Sequence, residues 1–192
     1  MLWLICTKDD ELKIDNLAIN QTAVPVYNRY GGFALHKREK GEYMRFVIQV
    51  VKNSDVKIDG EIRGAIDRGY MVLIGVGKDD TKEVADKMIK KMLGLRIMAD
   101  ENGKTNLALN DVGGALLLVS QFTLYADLSR GNRPGFTTCG SPDLAKELYH
   151  YIIDECKKQV PKVEQGEFGA DMKVTLTNDG PFTIILDSAD LK

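Results

Sequence analysis

Arg45-Phe46-Val47-Ile48-Gln49-Val50-Val51 is the stretch whose reading decides the fold. Its apolar run is short, rich in β-branched residues and bounded by polar ones, which marks a buried strand rather than a helix. Working outward, Val56-Lys57-Ile58 alternates, Asp59-Gly60 supplies a hairpin turn, and residues 61–66 form the return strand. Gly69 opens a second buried strand, Tyr70-Met71-Val72-Leu73-Ile74-Gly75-Val76. Asp79-Asp80-Thr81 with Glu83 marks a helix start, with acid at the positive end of the dipole. Val84, Met88, Met92 and Leu95 then recur at helical spacing. Leu95-Arg96-Ile97-Met98 reads as a short strand, residues 100–104 as a turn, and Ala115 through Val119 to Leu124 as a long apolar strand. After a loop over residues 130–140, Ser141-Pro142 pairs an N-cap with proline at the first helical position. Leu144, Leu148, Tyr151, Ile152 and Cys156 give that helix its apolar stripe. Residues 172–177 and 182–186 read as two last strands joined by Asn178-Asp179-Gly180-Pro181. Strands outnumber helices, so the fold class is α/β (α+β), with two main helices covering a sheet system. It is not a doubly wound nucleotide fold.

The chain has 192 residues, enough for one domain with a real core. A break falls at Tyr43-Met44. Residues 1–43 are expected to be an N-terminal extension with weak periodicity and balanced charge, residues 44–188 the main domain, and residues 189–192 a tail. The formal net charge of −2 advertises no basic groove along a duplex, so any RNA contact must be local, a pocket for an end. DNA is not an expected partner. The apolar opening Met1-Leu2-Trp3-Leu4-Ile5-Cys6 is too short for a signal-peptide core, and no run is long enough to span a membrane. A cytoplasmic protein with no membrane partner is expected. Cys6, Cys139 and Cys156 are odd in number and widely spaced, which builds neither a disulfide framework nor a zinc knuckle.

Several chemistries are weak at the level of residues. Gly103-Lys104-Thr105 has the tail of a phosphate loop, but Met98 stands where its first glycine is needed, and Gly77-Lys78 fails in the same way. His36 and His150 lack a carboxylate or cysteine cluster. Cys139 with His150 as its base has no evident third, orienting residue, and no GxSxG elbow exists. Two segments remain. Ser120-Gln121-Phe122-Thr123-Leu124 places polar groups at the end of an apolar strand, with Gln121 and Thr123 expected on one face and Ser120 and Phe122 on the other. Asn178-Asp179-Gly180-Pro181-Phe182-Thr183 carries a Gly-Pro pair of the kind that accommodates a cis peptide, which is the isomer expected at Gly180–Pro181.

Taken with Met44 to Gln49, Leu95-Arg96-Ile97, residues 103–107, Arg133-Pro134 and Phe168-Gly169-Ala170-Asp171-Met172, these segments resemble the D-aminoacyl-tRNA deacylase family over residues 44–188. The resemblance implies a barrel-like β core and a homodimer in which each Gly180–Pro181 element enters the partner's active site. It implies hydrolysis of the ester between a D-amino acid and the acceptor end of tRNA, with glycyl-tRNA also a substrate and with no metal or organic cofactor. Backbone N–H groups around Gln121 and Phe122 would stabilise the oxyanion, Ser120 and Thr123 would complete the catalytic segment, and the terminal ribose 2′-hydroxyl would assist. The carbonyls of Gly180 and Pro181, supported by Asn178 and Thr183, would form the chirality filter. Phe168, Gly169 and Met172 would line the terminal adenosine pocket. Three positions depart from the family pattern. Val50 replaces an arginine that braces the Gly-Pro element, Gly135 a serine, and Glu167 an arginine before Phe168. A rival class is a non-catalytic RNA-end or protein-interaction module on the same fold.

Overall fold

The computed structural model describes residues 23–27, 33–37 and 43–191. The chain divides between Lys40 and Gly41 into two units. In the first, strands β1 (Ala23–Tyr27) and β2 (Phe33–Lys37) pair antiparallel.

The second unit is organised by β3 (Arg45–Ile58), a single strand of 14 residues. It turns at Asp59 and Gly60, whose φ of 51° and 83° give the two left-handed positions of a tight hairpin, into β4 (Glu61–Ile66). Strand β5 (Gly69–Gly75) pairs with the first half of β3. Helix α1 (Lys82–Leu93) is capped by the Thr81 hydroxyl, which accepts the Val84 N–H. The two short strands β6 (Met98–Ala99) and β7 (Thr105–Leu107) form a minor hairpin, and β8 (Ala115–Ser120) returns parallel to β5. Helix α2 (Pro142–Lys157) starts at Ser141, whose hydroxyl accepts the Leu144 N–H. Strands β9 (Val163–Gln165) and β10 (Lys173–Asp187) complete a sheet of order β10-β3-β5-β8-β9, with β4 on β3. A Cβ on Gly64 of β4 would lie 3.1 Å from the Gln165 carbonyl oxygen of β9, so the sheet curls until its ends nearly meet, a barrel-like core.

Both faces of the sheet are covered. Phe46, Ile48, Tyr70, Val72, Ile74, Leu116 and Leu118 pack with Met88, Ile89 and Met92 of α1 and Tyr149, Ile152 and Ile153 of α2. Val51, Val56, Ile66, Met71, Ala115, Leu117 and Val119 form a second core on the opposite face. This explains the unbroken apolar run of β8, whose successive side chains enter different cores.

The structure corrects five expectations. Residues 95–97 are not a strand, because pairing with β7 begins only at Met98. The buried stripe of α1 is Ala85, Met88, Ile89, Met92 and Leu93, while Val84 is only partly buried and Leu95 lies beyond the helix. In α2, Tyr149 and Ile153 are buried where Leu144 and Tyr151 were expected. Strand β8 stops at Ser120 and a 3-10 turn over Phe122–Tyr125 follows, so the alternating faces expected for residues 120–123 do not exist. Past Ile74 the neighbouring strand offers no further ladder partner, and Tyr125 turns back to be buried. Finally, residues 173–187 are one strand, since both halves pair with β3 and residues 179–182 bulge out between them.

Ile152 is fully buried between α2 and the sheet. Ile152→Ala should lower the free energy of unfolding by about 2–5 kcal/mol, the cost of a large-to-small change in a packed core, as read by urea denaturation at constant m-value.

Candidate active site

The site is built where the β8 ladder runs out. The Gln121 N–H donates to the Ile74 carbonyl at 2.7 Å, and the chain then tightens into the 3-10 turn. Gly75 permits this, because a Cβ there would sit 2.9 Å from Tyr125 Cε2 and 3.4 Å from the Gln121 carbonyl. The turn is held from below. Buried Tyr125 donates its hydroxyl to the Tyr43 carbonyl at 2.7 Å, and burial keeps that phenol protonated well above its usual range. Arg45 reaches Asp187 through Nε at 2.6 Å and Nη2 at 3.0 Å, and Nη1 donates to the Leu124 carbonyl at 3.1 Å.

This anchoring leaves Phe122 and Thr123 facing out. Phe122 is 58% exposed and meets Phe136 edge to face at 4.9 Å between ring centroids. With the Gln121 N–H committed to Ile74, the N–H groups of Phe122 and Thr123 are the ones at the opening of the turn, beyond reach of any intrahelical carbonyl. The Gln121 side chain amide donates to the Thr123 hydroxyl oxygen. The Thr123 partner is therefore a donor, not a base, and its own proton is left to be given away.

The segment carrying Phe168, Gly169 and Met172 lies against the same strand end. Gly166 donates its N–H to the Leu118 carbonyl at 2.9 Å, and the buried Tyr149 hydroxyl lies 2.8 Å from the Leu118 carbonyl and 3.1 Å from that of Gly166. A Cβ on Gly166 would lie 2.4 Å from Met172 Sδ and 3.8 Å from Val119 Cγ2, so the glycine lets Met172 close over the end of β8. Phe168 is 6.1 Å from the Tyr149 ring and borders a depression of about 430 Å³ lined also by Arg63, Lys146, His150, Gln165 and Glu167.

Gly180–Pro181 is cis and exposed, at the crest of the β10 bulge. Asn178 ties the bulge down. Its Oδ1 accepts the Phe182 N–H at 2.6 Å and its Nδ2 donates to Thr183 Oγ1 at 3.1 Å. Gln49 approaches the same hydroxyl at 3.5 Å, and Lys52 stands 3.6 Å from Asp179. Val50, opposite the bulge, is buried, so local bracing comes from Asn178 rather than from position 50. The bulge lies three strand spacings from β8 and four residues along the strands from Ser120, roughly 20 Å along the sheet at ~4.8 Å per spacing and ~3.3 Å per residue. Near the end of β8 the chain thus brings Gly166 and Met172 to Leu118 and Val119, with Phe168 packed on the opposite core, and Gly180–Pro181 sits on β10, three strands away.

The weaker candidates resolve as follows. Asp100 accepts the N–H groups of Asn102 and Lys104, so the Gly103-Lys104-Thr105 fragment wraps a carboxylate rather than a phosphate. Cys139 donates its thiol to the Phe136 carbonyl at 2.8 Å, while His150 lines the depression beside Phe168. His36 lies in β2. A Cβ at Gly135 would meet only the Asp127 carbonyl, at 3.8 Å, so the position has room for the serine it replaces. Sequence reading missed Arg63, Lys146 and Gln165. Lys146 and His150, four apart, are legible as one helix face, but nothing local points Arg63 or Gln165 towards them.

Comparison with known proteins identifies the family. The profile described as D-Tyr-tRNA(Tyr) deacylase matches residues 47–187. The D-aminoacyl-tRNA deacylase of Thermosipho africanus is 53% identical over 145 residues, 76% of this chain and 97% of that protein. The Pseudomonas putida protein of the same name is 50% identical over 143 residues, 74% of this chain and 99% of that one. Among solved structures, the c-Myc DNA Unwinding Element Binding Protein superposes with a TM-score of 0.70 at 36% identity, covering 74% of this chain and 97% of that one. A probable eukaryotic D-amino acid tRNA deacylase shares the fold at 19% identity, with a TM-score of 0.64 over 76% of this chain and 99% of that one. The chain belongs to the D-Tyr-tRNA(Tyr) deacylase family.

Proposed function

We propose that this protein is a cytoplasmic enzyme that hydrolyses the ester between a D-amino acid and the 3′ end of tRNA, releasing the free amino acid and the tRNA. The observation that carries the reading is the exposed 3-10 turn over Phe122–Tyr125 at the end of β8, beside which Gly166 binds Leu118 and Met172 approaches Val119. The terminal adenosine lies against Phe168, Gly169 and Met172, an aromatic face and a soft thioether suited to a base. Arg63, Lys146 and His150 beside Phe168 suit the phosphates of a single RNA end, in keeping with a chain whose net charge is −2.

An aminoacyl ester is already activated, so positioning and oxyanion stabilisation supply most of what catalysis needs. Water attacks the carbonyl carbon, the bond to the ribose oxygen breaks, and that oxygen takes up a proton with help from the neighbouring 2′-hydroxyl. The Phe122 N–H, with that of Thr123, receives the developing negative charge. Ser120, Gln121 and Thr123 position the ester. Thr123 is not the nucleophile, because its hydrogen-bond partner is the Gln121 amide.

The chirality filter is the pair of carbonyls at Gly180 and Pro181, held by Asn178 and Thr183 and supplied by a second copy of the chain. The in-chain separation of roughly 20 Å along the sheet, at the spacings above, is too long for one ester to touch both elements. The exposure of Gly180, Pro181 and Ile185 fits a surface meant to be covered. An L side chain would meet that main chain, a D side chain projects to solvent, and glycine passes, so glycyl-tRNA is also hydrolysed. Residues 44–188 are the catalytic domain, and residues 1–43 and 189–192 are dispensable for the chemistry. A second reading, a nucleic-acid binding module, is favoured only by the name of one solved relative.

Purified protein should rapidly deacylate D-Tyr-tRNA and leave L-Tyr-tRNA intact, with chelator making no difference. A folded protein with no activity on either ester would support the binding module. The oxyanion assignment is separable from the phenyl ring. Gln121 has extended φ and ψ (−147°, 88°) and Phe122 is the first residue of the turn, both compatible with proline at 122. Phe122→Pro, which deletes the N–H, should cut kcat by about 100- to 1,000-fold, whereas Phe122→Ala should keep most of it. The shared site makes a mixing prediction. Subunits inactive through Phe122→Pro and subunits made unselective through Asn178→Ala, exchanged one to one, should recover discrimination against L-Tyr-tRNA in mixed dimers, whose working site combines the intact element of each. No recovery despite subunit exchange would place both elements in one chain.

A further inference from the structure

Asp80 is 5% exposed, yet nothing in the proposed chemistry uses it. Its Oδ1 accepts the Met44 N–H at 2.9 Å and its Oδ2 accepts the Gly77 N–H at 2.6 Å. Desolvation pushes its carboxyl up to about 6 in spite of those two N–H groups, and Asp79 on the same loop adds repulsion. Tyr125, on the turn that packs over it, is the other titratable neighbour, and Tyr125 in turn senses Arg45, Asp187 and Cys139. Among the described residues, no cation acts on Asp80. This is a poor arrangement for a buried carboxylate, which is stabilised by a full positive charge with several donors rather than by neutral amides.

The group that would satisfy it stands at the right atom. Met44 is wholly buried, and its carbonyl accepts the Ser188 N–H at 2.9 Å, so its nitrogen is fixed in place at the start of β3. We infer that Asp80 is a seat for an α-ammonium group: a chain whose first residue is Met44 sets its charged amino terminus on the Asp80 carboxylate. A peptide bond to Tyr43 reduces that ammonium to a single neutral N–H. The seat gives the two chain forms opposite linkage to pH. With Tyr43 attached, the folded pKa of Asp80 lies above its unfolded value of 3.8, so the native state holds the extra proton. Stability is then lost as pH rises from about 4 through 6. With the ammonium seated, the carboxyl is held below its ordinary range, and stability is lost instead as pH falls through that range. It is lost again when the ammonium gives up its proton.

Residues 44–192 stand alone as a fold. They lie within one compact unit, and 143 to 146 residues of this chain account for 97–99% of whole relatives. The test compares 44–192, its free amino terminus verified by intact mass, with the same chain lengthened to carry Tyr43 behind a retained initiator Met. Carboxyl 13C shifts should show Asp80 titrating below the usual carboxylate range in the first and near 6 in the second. Asp80→Asn should raise the unfolding equilibrium constant at neutral pH at least tenfold more in 44–192 than in the longer chain. Identical Asp80 titration in the two chains would overturn the inference. So would an equal effect of Asp80→Asn, and if that variant fails to fold, the titration of the unsubstituted chains decides alone. Both readouts are independent of deacylation, so loss of the proposed activity would leave this result standing.

Discussion

The sharing of β3 among three partners is the constraint on which the rest depends. Its first half pairs with β5, its second half with β4, and β10 runs along both. A strand committed on both edges for its whole length cannot shift register without moving Phe46, Ile48 and Val50 out of one core and Val51 and Val56 out of the other. With β3 fixed, β10 sets four residues, 179–182, against the single place of Val50, and they leave the sheet as a bulge. The position of Gly180–Pro181 is thus set by a mismatch of length between two strands.

The same reasoning places the other half of the site. Strands β5, β8 and β9 are mutually parallel, and parallel strands leave their useful crevice beyond their carboxyl ends, where the loops diverge. Here Ile74 is the last acceptor, Gln121 takes it, and Phe122 and Thr123 are left with unspent N–H groups. Gly166 performs the matching function on the other side, letting Met172 close over the end of β8. A site made from main-chain groups suits an activated ester, for which fixed dipoles cost no reorganisation during reaction.

Much of this was legible where the signal is local. Asp59-Gly60 and Ser141-Pro142 mark their turn and cap by backbone preference alone, and the apolar runs of β3, β5 and β8 declare buried strands. The features that escaped depend on distant partners. That β8 stops at Ser120 follows from where β5 stops, and residues 121–124 themselves carry no breaker. That residues 173–187 form one strand follows from both halves facing β3, whereas Asn178-Asp179-Gly180-Pro181 by itself reads as an ordinary link between two strands. The candidate site showed the same division. Its signature segments stood out as sequence, but the commitment of the Gln121 N–H, the bracing by Asn178 and the arrival of Arg63 beside Lys146 are products of packing.

The start of β3 is where packing and electrostatics meet. Two buried carboxylates converge there from opposite directions, Asp187 at the end of β10 and Asp80 before α1. Asp187 has the Arg45 guanidinium, a bidentate and permanently charged partner that also holds the Leu124 carbonyl. Asp80 grips the adjacent residue, Met44, but through a neutral amide. Burying a carboxylate against an amide costs more than burying it against a cation, and folding tolerates that cost only where the position brings something in return. What it brings is a clamp. Met44 and Arg45, where the strand that organises the sheet begins, are fixed to the last strand, to the loop before α1 and to the turn that presents Phe122, so the boundary of the domain and the floor of the site are held by the same few atoms.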